Sequence, residues 1–367
     1  MADSARKLLV SATLVGVSIV CATGVQRVVF GRQAQPGSVE TSAEAVAVAA
    51  ISPYIETHTH FDDHDPEGSV QAAIKALNHQ NASKIFLEIP PNIYGDAGNY
   101  DVEVILAAAR KYPDKLAVIG GGGSLNAMIL QSVQSGDSGP KVQKAFTERA
   151  EKLVRDGIIG FGEMTAEHFP SSTPYQYAPP DHPLYLLLAD IAARHNMPII
   201  LHMESVPETM PLPSDLKSPP NPPQLQANIA GFERLLAHNT RAKIIWAHVG
   251  ADQTGFRTSA LCRQLLQAHP NLFMDLKIDP LNLGQNRLLE DGKVKPEWLK
   301  LFQDFPARFV IGSDQHYPEP RGPQRWQAIV LLFNQLPGDL RRKIGMENAL
   351  RIFPFKPNKL EDHASRK

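Results

Sequence analysis

Two histidines spaced two apart, His58 and His60 in the run YIETHTHF, are the first residues along this chain able to do chemistry together. Alternate side chains of an extended strand share a face, so both imidazoles point the same way. A pair of imidazoles on one face chelates a borderline-soft divalent cation, Zn²⁺ above all. Further ligand types close four other apolar runs: Glu163 in GIIGFGEM, His202 in MPIILHME, His248 in AKIIWAHV and Asp314 in ARFVIGSD. Taken singly, each has an ordinary explanation. A histidine after an apolar run commonly serves a structural hydrogen bond, and an aspartate there commonly caps a helix. Five run ends that all carry a ligand type form a pattern with a chemical meaning. A divalent cation at such a centre activates water and polarises the bond under attack. Asp314, with His316 two residues beyond it, is then the expected proton acceptor and donor. Substrate contacts are expected from His64 on the loop after the first run, from His168 after the fourth and from Lys277 at the end of the seventh. Glu88, which ends the second run, reads as a solvated or supporting residue.

The elements that must hold these side chains are eight short runs: YIETHTHF, SKIFLEIP, KLAVIGG, GIIGFGEM, MPIILHME, AKIIWAHV, NLFMDLKI and ARFVIGSD. Each is mostly apolar, as a strand buried on both faces must be. Helical stretches such as DVEVILAAARKYP, PLYLLLADIAARHN and ANIAGFERLLAHNT fall between them. Eight strand–helix repeats predict an α/β chain folded as a (β/α)8 TIM barrel over residues 51–355, with an open doubly wound sheet as the competing layout. The spacing agrees. From His60 to Glu163 is 103 residues, then 39 to His202, 46 to His248 and 66 to Asp314. Barrel units of roughly 30 residues place these on strands 1, 4, 5, 6 and 8, all opening into one mouth. Two proline-rich stretches, 168–183 and 206–223, follow the fourth and fifth runs and are expected to be substrate loops. The glycines of GGGGSLN (120–126) offer backbone N–H groups for an anion.

With strand positions assigned, the ligand set resembles that of the amidohydrolase superfamily: H-x-H on the first strand, Glu on the fourth, His on the fifth and sixth, Asp on the eighth. IGSDQHYP and the closing GMENALRIFPF are similar to the amidohydrolase-related branch. The resemblance implies that His58 and His60 hold one metal together with Asp314, that His202 and His248 hold a second, and that Glu163 bridges or serves as a fifth ligand. One departure bears on the metal count. Many two-metal members carry a carboxylated lysine where this chain has Glu163, and a glutamate there also occurs in TatD-like nucleases. One or two ions, most simply Zn²⁺, are therefore expected. Hydrolysis of an amide, ester or lactone bond in a small molecule is the expected reaction. Phosphoester hydrolysis, non-oxidative decarboxylation and a non-catalytic exported metal-binding barrel are the alternatives.

Composition sets the outer limits. The chain has 367 residues, 43% of them hydrophobic, enough to bury one large core. A net charge of −1 and the lack of a basic run argue against a nucleic-acid partner. Of the two cysteines, Cys21 lies in the N-terminal apolar stretch and Cys262 is the only one in the body, so no internal disulfide framework is expected. Arg6 and Lys7 precede an uncharged apolar stretch that runs to Arg27, the pattern of an export signal or single membrane anchor over residues 1–30. A small-residue linker (31–50) and a tail (356–367) flank the catalytic body. The protein is thus expected to be exported, periplasmic or secreted, with the N-terminus as its only membrane contact. The oligomeric state is left open.

Overall fold

A computed structural model of the chain describes residues 53–91, 101–169, 175–214, 221–278, 285–319 and 325–354. The expected export segment, linker and tail lie outside the described residues, as do parts of both proline-rich stretches. All eight apolar runs are strands: β1 (Tyr54–Phe61), β2 (Ala82–Glu88), β3 (Leu116–Val118, resuming as Gly120–Gly121), β4 (Phe161–His168), β5 (Pro198–Met203), β6 (Lys243–Val249), β7 (Leu272–Leu276) and β8 (Phe309–Ile311).

Neighbouring strands pair in parallel in the order 3-2-1-8-7-6-5-4. The sheet also meets itself. Leu116–Val118 pairs with β2, and Gly120–Gly121 pairs with β4, with only Ile119 between the two segments. One run therefore supplies both ends of the strand order and closes the sheet into the (β/α)8 barrel. Past the end of β8, Gln315–Tyr317 continues the pairing with β1, setting His60 opposite His316.

The connecting helices are α1 (Pro66–Gln80), α2 (Glu103–Ala109), α3 (Leu125–Ser135), α4 (Pro140–Asp156), α5 (Pro183–Arg194), α6 (Ile229–His238), α7 (Ser259–Ala268), α8 (Pro296–Asp304) and α9 (Trp326–Phe333). Four of them start at a proline, where the fixed φ suits the first turn and the missing N–H costs nothing. Asp65 caps α1 by accepting from the Gly68 N–H, and Thr258 caps α7 by accepting from the Leu261 N–H. No helix among the described residues is long and apolar enough to cross a membrane.

Two apolar regions follow from strand alternation. Residues facing the helices form the larger core, which includes Phe146, Trp246, Trp298 and Phe302. A second cluster gathers Ile55, Phe86, Ile119, Ile200, Ile245, Phe273 and Val310, each from a different strand, and so fills the barrel interior. Ala349, Ile352 and Phe353 of the closing helix Asn348–Ile352 and its exit pack onto this cluster. Each fully buried aliphatic or aromatic side chain here contributes on the order of 1.5–3 kcal/mol. Above this apolar floor the inward positions turn polar: Glu88 two residues after Phe86, His202 two after Ile200, Asp275 two after Phe273. The switch comes at the carboxyl ends of the strands, which is where the floor ends and the candidate site begins.

Candidate metal centre

Simple alternation delivers some of the polar side chains, and backbone irregularity delivers the others. Ala247 belongs to the interior cluster, so a regular β6 would turn His248 outward. Instead His248 has φ +66, the pairing with β7 shifts register between Trp246 and Val249, and the imidazole turns into the barrel. Asp314, with φ +56, lies just beyond β8 and reaches the same centre. The β4–β5 pairing shifts register between Phe161 and Met164, the interval that holds Glu163.

The result is a continuous array of six imidazoles. Ring centroids run His316–His60 at 4.7 Å, His60–His58 at 5.2 Å, His58–His248 at 4.7 Å, His248–His202 at 4.7 Å and His202–His168 at 4.5 Å. Carboxylates thread between the rings. Glu163 Oε1 lies 3.6 Å from His58 Nε2, 3.5 Å from His248 Nε2 and 2.8 Å from His202 Nδ1, while its Oε2 lies 3.4 Å from His60 Nε2. Asp314 Oδ1 lies 2.9 Å from His60 Nε2. Two sets of donor atoms are close enough to share an ion: His58 with Glu163 and His248, and His58 with His60 and Asp314. Five of the six expected ligands thus come together in three-donor groups.

The sixth, His202, stands differently. Its Nδ1 is hydrogen-bonded to Glu163, and its Nε2 faces Glu204 Oε1 at 3.7 Å. It therefore lies beside the donor groups. Of the expected substrate residues, His168 is half-buried, its ring edge-on to that of His202. Lys277 sits at the centre's edge with Nζ 2.5 Å from Asp314 Oδ2. His316 Nε2 is 3.9 Å from Asp314 Oδ1. His64 is exposed on the loop after β1, its backbone N–H held by Asp62 Oδ1 at 2.9 Å, and its ring is outside the histidine array. The glycine loop offers less to an anion than its sequence suggests. The Gly121 and Ser124 N–H groups donate to the buried Asp101 carboxylate, and Gly122 N–H donates to the Gly162 carbonyl. The chain's own acid takes the place an anion would need.

Three contributors were not assigned these places from sequence. Asp275 accepts from the His58 Nδ1–H at 2.9 Å through Oδ2 and from the His248 backbone N–H at 2.6 Å through Oδ1, so one carboxylate orients two ligands. A charged residue inside a strand otherwise buried on both faces is the signal that singles it out. Glu88 points Oε1 at His58 Nε2 from 3.3 Å. Arg325 sets Nη1 2.9 Å from Asp314 Oδ2, and nothing in its local sequence marks it.

The electrostatics match a cation-binding centre. Burial opposes the charge on Asp314, yet the Lys277 and Arg325 cations beside it outweigh that and hold the carboxyl well below its ordinary range. Burial likewise opposes charge on Glu163, but His202, His58 and His60 bring it down to about 2. Glu88 goes the other way: burial, with Glu163, Asp275 and Asp314 nearby, pushes it well up despite the opposing pull of His58. Burial and the neighbouring Lys277 keep His248 neutral, its pKa well below the ordinary value. Burial and His202 lower His168 to about 4.

Unmet hydrogen-bonding capacity supplies the test of fit. The Nε2 atoms of His58, His202 and His248 and both Glu88 oxygens are buried without a hydrogen-bond partner. Each such group costs roughly 1–3 kcal/mol when nothing replaces water. The two lysine and arginine cations at the centre both lie on Asp314, leaving Glu163 and the unpaired nitrogens to face one another. A divalent cation with nitrogen and oxygen ligands satisfies these atoms together, so the donor set fits the group.

The chain matches the family model described as Amidohydrolase over residues 55–355. No curated protein matches it. Among solved structures, an uncharacterized TIM-barrel protein from Bordetella bronchiseptica is 13% identical, with 82% of this chain and 98% of that one covered at a TM-score of 0.50. A probable 2-pyrone-4,6-dicarboxylic acid hydrolase from Acinetobacter baumannii is 14% identical, with 83% and 100% covered and a TM-score of 0.48. A 2,6-dihydroxybenzoate decarboxylase from Rhizobium is 15% identical, with 82% and 98% covered and a TM-score of 0.48. At these identities the likeness extends to the fold alone.

Proposed function

Because the chain belongs to the amidohydrolase family, we propose that it is a metal-dependent hydrolase that turns water against an amide, ester or lactone bond of a small molecule. One observation carries this reading: the side chains of His58, His60, Glu163, His248 and Asp314, drawn from four strand ends, converge with unpartnered nitrogens on a single buried centre. His58 belongs to both donor groups, and its Nδ1 is already committed to Asp275. A single free nitrogen serves one ion, which favours one shared cation, with Zn²⁺ the simplest choice for this nitrogen–oxygen set.

When bound, the cation supplies Lewis acidity toward water and the substrate oxygen. The remaining work belongs to the chain. Asp314 is ionised at neutral pH, the state in which a carboxylate takes a proton from water. Lys277 and Arg325 hold its Oδ2, which keeps Oδ1 turned into the centre. The proton taken there passes to the leaving group. His316, its ring tilted against that of His60 and near Oδ1, is placed to carry it outward. His168 and Lys277, both half-buried at the edge of the histidine array, are the side chains nearest to hand for a substrate carbonyl or anionic group.

A second reading rests on the same two cations. Lys277 and Arg325 beside an acid suit a substrate carboxylate, as non-oxidative decarboxylation requires. Turnover of ester, lactone, amide, phosphoester and aromatic-acid panels in ¹⁸O-water separates the two. Incorporation of label into the organic product supports hydrolysis, and release of CO2 with an unlabelled organic product overturns it. Asp314→Asn should lower kcat by at least about 10³-fold, in the range expected when a proton-transfer group is lost. Undiminished turnover in that variant rules out the assigned role. The N-terminal sequence supports export, a reading checked by the mass of the mature chain.

A further inference from the structure

We propose that Glu88 is an additional metal ligand, so that the centre draws carboxylates from β2 and β4 as well as from the residue beyond β8. The inference rests on the metal-centre reading above and deepens it. Glu88 ends β2, is 0% exposed, and has two side-chain oxygens with no hydrogen-bond partner. A buried carboxyl that merely filled space would be expected to find a backbone N–H or a hydroxyl, as Asp101 does with Gly121 and Ser124. Glu88 finds neither. Its Oε1 instead lies 3.3 Å from His58 Nε2, the one nitrogen of that ring left free by Asp275.

That spacing has a chemical meaning. Donor atoms about 2.0–2.2 Å from a tetrahedral cation lie about 3.3–3.6 Å from one another. The distances from His58 Nε2 to Glu88 Oε1, from His58 Nε2 to Glu163 Oε1, and from His248 Nε2 to Glu163 Oε1 are 3.3, 3.6 and 3.5 Å. Three edges thus have ligand–ligand length, and they chain four donors through His58 Nε2 and Glu163 Oε1, with Glu88 the end of the chain that stands outside both three-donor groups. Packing holds the carboxylate at this distance. A Cβ built on Gly162 would come within 2.8 Å of Glu88 Oε2 and 2.9 Å of Ile200 Cβ. The glycine before Glu163 therefore leaves room for the carboxylate and nothing more.

The test uses full-length protein stripped with a chelator and reloaded with Zn²⁺ or Co²⁺ alone. Glu88→Gln keeps the shape and removes the anionic donor. It should weaken Zn²⁺ binding at least ten-fold in competition with a chromophoric chelator. It should also change the visible absorption of the Co²⁺ form and shrink the rise in Tm on Zn²⁺ loading. Wild-type affinity with an unchanged Co²⁺ spectrum overturns the inference. If the variant does not fold, anomalous scattering from Zn²⁺-loaded wild-type crystals decides the matter: density bonded to a Glu88 oxygen supports the proposal, and density bonded elsewhere ends it. Failure of the wild-type protein to bind Zn²⁺ or Co²⁺ would sink the metal-centre reading itself, a result distinct from the loss of Glu88 alone.

Discussion

At the scale of single residues, Asp275 shows how much of the centre depends on a side chain outside the expected ligand set. Its carboxylate fixes the His58 ring through Nδ1 and, through the His248 N–H, the backbone that turns His248 inward. Asp275→Asn keeps the volume but exchanges a charge-assisted bond for a neutral one and disturbs the His58 tautomer. Metal affinity should drop about 10–100-fold, the usual loss on altering such a partner, with the fold intact. Chelator competition measures it, and an affinity within two-fold of wild type, roughly the scatter of such measurements, would count against the orienting role. His58, His60, Glu163, His248 and Asp314 were legible in the sequence because each is a ligand type near the end of an apolar run. Asp275 was passed over, because its neighbours Met274 and Leu276 make the run read as plain core unless the lone charge inside it is given weight. Glu88 was noticed but misjudged: its position at a strand end looked solvated, and only the closed packing against Gly162 shows it buried.

At the scale of elements, the loop ends around the mouth are braced by a buried polar knot. Asn228, at the start of α6, donates to Glu167 Oε2 at 2.5 Å and to the Glu204 carbonyl at 2.7 Å, and accepts from the Val206 N–H at 2.9 Å. This ties the ends of β4 and β5 together and keeps Glu204 beside His202. Burial, with Glu204 adding to it, pushes the Glu167 carboxyl up to about 8 against the opposing hydrogen bonds of Tyr175 and Asn228. The folded state therefore holds a proton that the unfolded chain releases near its ordinary value of 4.5. The stabilisation is complete below that value and is lost as pH rises through about 8. Glu167→Gln should remove the dependence. Between pH 6 and 9 the wild-type urea midpoint should fall, and the variant should hold its midpoint better, by an amount worth on the order of 1–2 kcal/mol at pH 9. Parallel curves for the two proteins would contradict the assignment. Sequence reasoning placed these strands correctly but gave no sign of the knot, because its partners come from residues up to 61 positions apart.

At the scale of the whole molecule, the eight runs predicted the barrel because strands buried on both faces leave a nearly continuous apolar signature. Its closure is settled by one detail, the change of partner across Ile119. The barrel then divides into a dry floor and a polar mouth, and the two carry different parts of the stability. Ile55, Phe86, Ile200, Ile245, Phe273 and Val310 hold the floor without help from any ligand. The mouth concentrates carboxylates and unpartnered imidazole nitrogens whose mutual cost falls when a cation joins them. Metal removal should consequently leave a folded barrel with a loosened mouth rather than an unfolded chain. A ligand present at a thousand times its Kd stabilises the native state by about 4 kcal/mol. For a domain of this size that corresponds to a rise in Tm on the order of 10 °C. Calorimetry on chelator-stripped and Zn²⁺-loaded protein should show a gain of that order, with unchanged far-UV circular dichroism. Asp275→Asn should lower the gain, because at equal Zn²⁺ the weaker site is less saturated. If stripped and loaded proteins melt together, the mouth is not built around an ion, and its buried carboxylates must be balanced by protons instead.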